Sequence, residues 1–178
     1  MDFVQLLNPE TSIEREFFTQ ERFVRGLAYG KPRAGHPEGV VAYHVREVLD
    51  NVHTYASSSI RTQTRLIAFL HDSFKHEVNK ALPRHGENHH GMIARRFAEG
   101  YITDASVLEV IELHDEAYNA FNLGARKKDW RAAEERACAL LHRLGDAREL
   151  YLLFYRCDNE TGDKSREGLD WFSALSRC

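Results

Sequence analysis

Apolar residues recur at helical spacing along most of the chain, and the pattern predicts one helix after another. The first predicted helix covers Ile13 to about Leu27, with Phe17, Phe18, Phe23 and Val24 apolar. The stretch "YGKPRAGHPEG" then reads as a connector, rich in Gly and Pro. A second helix runs from about Val40 to Tyr55 on the stripe Val41, Val45, Val48, Leu49 and Val52, and His44 falls on that stripe. A third, about Arg61 to Asp72, carries an apolar run from Leu66 to Leu70 dense enough for burial on most sides. After the polar loop "PRHGENHHG", a fourth covers about His89 to Glu99 and ends at Gly100, with His90, Ile93, Ala94 and Phe97 on its inner face. A fifth starts near Asp104, a candidate N-cap, with the stripe Val107, Val110, Ile111 and His114. A sixth runs from about Asp129 to Leu144, and a seventh from Asp146 to about Asp158. A short final helix carries Leu169, Trp171, Phe172 and Leu175. No alternating run argues for a strand. The expectation is an all-α bundle forming a single domain over residues 1–178.

Composition narrows the classes. Hydrophobic content of 43% and charged content of 29% describe an ordinary globular chain. A net charge of −3 gives no bulk electrostatic reason to expect nucleic-acid binding. No stretch has the roughly 20 apolar residues of a membrane span, and "MDFVQLLNPETSIERE" lacks a signal-peptide pattern. Cys138, Cys157 and Cys178 have neither CxxC spacing nor a disulfide framework, and they read as free thiols in a cytoplasmic protein. The 10 histidines are a surplus for this length. Histidine is the commonest metal ligand, so they lean toward a metal or catalytic site.

Two His-Asp dipeptides occur, His71-Asp72 and His114-Asp115. Random order at this composition gives roughly half of one, so the dipeptides alone say little. Their setting says more. His44, His71-Asp72, His90 and His114 fall on the apolar faces or ends of four different predicted helices. Asp158 follows the apolar run "LYLLFYRC". A carboxylate there is costly to bury without a partner, and a metal ion is one such partner. Taken singly, each has a plainer reading. His44 alone suits a satisfied core histidine, Asp158 a helix-end cap, and His89 competes with His90. Asp115 reads as a surface or helix-end residue, His36 as part of a pocket mouth, and His53, His76 and His142 as surface or packing residues.

In order, His44, His71-Asp72 and Asp158 resemble the H…HD…D signature of the HD-domain metal-dependent phosphohydrolases. "HPEGVVAYHVREVLDNV", "LIAFLHDSFKH" and "LLFYRCDNETG" are similar to that family's first, second and closing motif segments. The resemblance covers about residues 36–162, leaving 1–35 and 163–178 as flanking helices. "HHGMIARRFAEG" and "VLEVIELHDEA" resemble the segments that carry two further histidines, here His90 and His114. One departure is Phe74, two residues after Asp72, where the family often has Gly.

The resemblance implies a divalent cofactor, one or two ions of Mn, Fe, Co, Ni, Zn or Mg. His44, His71, Asp72 and Asp158 would hold the first, and His90 and His114 a second, with Asp72 between them. It implies a hydrolase that cleaves a phosphoester of a nucleotide or other small phosphorylated metabolite by metal-activated hydroxide, with Asp72 and Lys75 in the chemistry. Arg33, Lys31, Arg84 and His85 lie in loops near the motif ends and are candidates for phosphate binding. The partner is then a small-molecule phosphoester, without nucleic acid or membrane, with a homo-oligomer possible. Two other classes stay open: a diiron oxygenase of the same fold that uses dioxygen, and a regulatory or binding protein without turnover.

Overall fold

The computed structural model describes residues 1–175, and its regular structure is helical throughout. The helices are α1 (Phe3–Leu7), α2 (Ser12–Phe17), α3 (Glu21–Leu27), α4 (Val41–Tyr55), α5 (Arg61–Leu70), α6 (His90–Ala98), α7 (Ala105–Leu113), α8 (Glu116–Lys127), α9 (Trp130–Leu144), α10 (Arg148–Asn159) and α11 (Glu167–Ala174). Short 3-10 turns cover Lys75–Glu77, Gly86–Asn88 and Gly145–Ala147. Among the described residues, β pairing is limited to two isolated bridges, Gly30 with Val40 and Arg33 with His36, which pin the connector ahead of α4. No helix among them is long and apolar enough to cross a membrane.

The core follows from the apolar stripes. α4 buries Val41, Val45, Val48, Leu49 and Val52, and packs on α5 and α10. α5 buries every residue from Thr64 to Leu70, the apolar run Leu66–Leu70 among them, because α4, α7 and α10 all pack against it. α6 lies on α7, while α8 and α9 form a hairpin capped by α11. Phe74, two residues after Asp72, is fully buried against Phe97 at 4.8 Å between ring centroids.

Three elements depart from the sequence expectation. The first predicted helix is two, α2 and α3, broken at Phe18–Gln20. Adjacent helical positions point about 100° apart, and the break lets Phe17, Phe18 and Phe23 all reach Phe69, at 6.5, 6.0 and 6.5 Å. α1 and α8 were not anticipated. The buried residues of α8 are Ala117, Ala120 and Gly124, small side chains that leave little hydrophobic signal. The cysteine expectation holds for Cys157, which is free and buried. Cys138 is disulfide-bonded instead of free, and Cys178 lies outside the described residues.

The N-terminal segment is fastened by charge. Thr11 and Glu14 form a capping box at the start of α2. The Glu14 side chain is fully buried and accepts from Arg65 Nε at 2.8 Å and a second guanidinium nitrogen at 3.1 Å. Removing one partner of such a pair leaves the other desolvated and uncompensated. Glu14→Ala therefore lowers unfolding stability by about 3 kcal/mol, read from urea denaturation. A loss below about 1 kcal/mol would mean that Glu10, which also meets Arg65 at 3.1 Å, carries the contact instead.

Candidate metal centre

Both His-Asp dipeptides occupy the same structural position, the turn just beyond a helix. His71 follows α5 and His114 follows α7. The last turn of a helix leaves carbonyls without intrahelical partners. His71 Nδ1 donates to Ala68 O at 3.0 Å, and His114 Nδ1 donates to Ile111 O at 2.9 Å. A carbonyl can only accept, so each Nδ1 carries the hydrogen and each neutral ring turns the lone pair of Nε2 away from its helix. A carbonyl holding the far nitrogen in this way fixes the ring's tautomer and direction, which prepares an imidazole for a metal.

Those lone pairs converge with others. His44 Nε2, from α4, lies 3.1 Å from His71 Nε2 and 2.9 Å from Asp158 Oδ1 of α10. Asp72 Oδ2 is 3.7 Å from both His44 Nε2 and His71 Nε2. On the other side, His90 Nε2 at the start of α6 is 3.0 Å from His114 Nε2. Each of these two nitrogens is 3.5 Å from Asp72 Oδ1. Asp72 thus divides its oxygens between two imidazole pairs. Gly91 makes the second pair possible, since a Cβ there would stand 2.4 Å from the backbone oxygen of Glu112, two residues before His114.

The spacing fits cations. Two ligand atoms each about 2.1 Å from one ion are about 3.0 Å apart at a right angle and about 3.6 Å apart at 120°. Both sets fall in that neighbourhood, and His44–His71–Asp72 and Asp72–His90–His114 can each hold an ion. Two further groups, His36–Glu38–His44 and His89–His90–Asp115, flank them. The donor set is imidazole nitrogen and carboxylate oxygen, suited to a divalent transition ion or Mg.

The electrostatics show what burial costs. His71, at 1% exposure, is pushed down to about 3 by desolvation, and His90 to about 4 for the same reason. His44 and His114 are also penalised by burial, yet they end above the ordinary value. Asp158 and Glu38 raise His44, and Asp72 raises His114. Burial pulls the Asp72 and Asp158 carboxyls upward, but Lys75 beside Asp72 and Lys164 beside Asp158 help hold both well below the usual range. Lys75 Nζ is ion-paired with Asp72 Oδ2, and Lys164 Nζ lies 2.9 Å from Asp158 Oδ1.

The structure brings together His44, His71, Asp72, Asp158, His90 and His114, with Lys75 against them. Arg33, Lys75 and Arg84 line an adjoining cleft, His85 lines the neighbouring recess, and Lys31 lines neither. Several residues were missed. Glu38 accepts from His36 Nδ1 at 2.9 Å, and its Oε1 lies 3.4 Å from His44 Nδ1. Thr161 Oγ1 lies 3.4 Å from the same nitrogen. Asp115 lies in the helix-end turn between α7 and α8, one of the two readings given to it, and is partly buried, with Oδ2 3.3 Å from His89 Nε2. Nothing in the local sequence announced Glu38, Thr161 or Lys164, which reach the site through turns. Tyr151, buried in α10, steadies the second histidine by donating to Leu113 O at 3.1 Å and accepting from Ala117 N at 3.0 Å.

No family model, curated protein or solved structure matches the chain.

The geometry predicts two divalent ions per chain in protein purified with Mn or Fe, counted by elemental analysis. His114→Ala retains one. Asp72→Ala loses both, because each set shares that carboxylate. Undiminished stoichiometry in His114→Ala would remove that histidine from the ligand set.

Proposed function

We propose that this chain is a metal-dependent phosphohydrolase of HD-domain type, acting on a small phosphorylated compound. The observation that carries the reading is Asp72, whose two oxygens serve two imidazole pairs beside a cleft lined by Lys75 and His90. The order of ligands along the chain, His44, His71-Asp72, His90, His114 and Asp158, is that of the family it resembles. A divalent ion held by such residues supplies positive charge to a phosphoryl oxygen and lowers the pKa of a water molecule.

The chain's own groups have distinct tasks. His71 and His114 are aimed by the carbonyls of their own helices, so they do not need to reorganise on binding. Glu38 and Thr161 hold His44 from behind. Lys164 neutralises Asp158 from the side. Lys75 faces the cleft while paired with Asp72, so its ammonium group is placed to meet a phosphoryl oxygen beside the ligand carboxylate. His90 and Asp115 line the same cleft, so an ester entering it reaches the second imidazole pair directly.

Bis(p-nitrophenyl) phosphate and p-nitrophenyl phosphate, assayed with Mn in the absence of dioxygen, are expected to be turned over. Asp72→Asn lowers kcat by about 10²-fold or more, and Lys75→Ala raises KM by about tenfold. Turnover that requires both iron and dioxygen would replace the hydrolase with an oxygenase. Full metal loading without turnover of any phosphoester would leave a binding protein.

A further inference from the structure

Most arginines in the described residues are spoken for. Arg22 pairs with Glu77, Arg46 with Asp50, Arg61 with Glu10, Arg95 and Arg143 with Glu109 and Glu112, Arg136 with Glu116, and Arg156 and Arg166 with Glu160. Arg15 and Arg148 reach backbone carbonyls, and Arg126 reaches the Tyr118 hydroxyl. Arg25, Arg65, Arg96 and Arg131 also meet carboxylates. Arg33 and Arg84 are the exceptions among the described arginines, since neither side chain has a protein partner. Both line the cleft beside the metal centre, and so does Lys80, whose ammonium group is likewise unpartnered.

Arg33 comes from the connector before α4, and Lys80 and Arg84 from the one segment between the Lys75–Glu77 turn and α6. Nothing local obliges Arg33 to meet the other two. Here they converge with Lys75 on one cleft of about 470 Å³ that also exposes His90. The carboxylate in the lining, Asp115, is taken by His89. The volume suits a small organic molecule and is too large for one phosphate ion alone. A single phosphoryl group at Lys75 and the imidazole pairs leaves Arg33, Lys80 and Arg84 without a counter-charge. The guanidinium fork binds phosphate oxygens two at a time, and an ammonium adds a point charge.

We infer that the cleft formed by Arg33, Lys80 and Arg84 binds a second phosphate group on the same small substrate, so that the preferred substrate is an organic bisphosphate. The inference rests on the phosphohydrolase reading for the scissile group, while the cleft itself is defined by residues outside the ligand set. Tyr29, partly exposed on the cleft lining, offers an aromatic surface to the organic part between the two phosphates.

The test compares adenosine 3′,5′-bisphosphate with adenosine 5′-monophosphate, and fructose 1,6-bisphosphate with fructose 6-phosphate. Each is titrated calorimetrically into metal-loaded full-length protein and also assayed for phosphate release. The second phosphate is expected to tighten binding by about tenfold or more at low salt. In Arg33→Ala/Lys80→Ala/Arg84→Ala that advantage falls toward one. Each single variant, at an exposed position, removes part of it and covers the case in which the triple variant fails to fold. Equal binding of mono- and bisphosphates, or an advantage that survives all three substitutions, overturns the inference. So does a short single-stranded oligonucleotide that competes better than either bisphosphate, which would assign the cleft to a nucleic-acid backbone. Phosphate release from monophosphates with no bisphosphate advantage leaves the hydrolase reading standing and sinks this one. A binding advantage without any phosphate release does the reverse.

Discussion

The carboxylate of Asp72 is the constraint around which the fold is arranged. It is nearly inaccessible to solvent, and its two oxygens face two pairs of imidazole nitrogens delivered by α4, α5, α6 and α7. A carboxylate in such a place is tolerated only with compensating charge. The protein supplies part of it through Lys75. The convergence of lone pairs calls for more than one ammonium group can give. The four helices could pack on apolar grounds alone in many relative rotations. Bringing four histidines to one carboxylate admits far fewer.

Much of this was legible in the chain because the site residues interrupt stripes that are otherwise apolar. His44 stands among Val41, Val45 and Val48, and His71-Asp72 ends the run from Leu66 to Leu70. A polar group where burial is expected is an anomaly that periodicity exposes. The all-α architecture, the edges of α4, α6 and α9 and the start of α7 follow from the same patterning, with Asp104 and Asp129 capping as their chemistry suggests. The break between α2 and α3 was not legible. It contains neither Gly nor Pro, and it exists to gather three phenylalanines on Phe69. α8 was hidden by small buried residues, which pack closely but register weakly on any hydrophobic scale.

What sequence order conceals most is the support around the candidate ligands. Glu38, Thr161 and Lys164 reach the site from two connectors that meet only in three dimensions. Gly162 N donates to Glu47 of α4 at 2.9 Å, and Gly35 N donates to Asp163 at 2.6 Å, which ties the loop after α10 to α4 and to the loop before it. The same is true of the cleft. Arg33 and Arg84 were noticed as loop cations. Their shared lack of protein partners stands out only against the other described arginines, each of which meets a protein group.

The placement of His71 and His114 immediately beyond α5 and α7 ties their aim to helix phase. Each ring is clamped to a carbonyl three residues earlier, so its direction is fixed by how many residues the helix contains. Adding or removing one residue inside either helix turns its end by about 100° and shifts it by about 1.5 Å, carrying the histidine away from Asp72 while the helix itself remains well formed. The segment from Val78 to His89 is held differently, by the Asn88 side chain bridging the backbone of Asn79 and Pro83. α5 and α7 can therefore change by substitution but not in length.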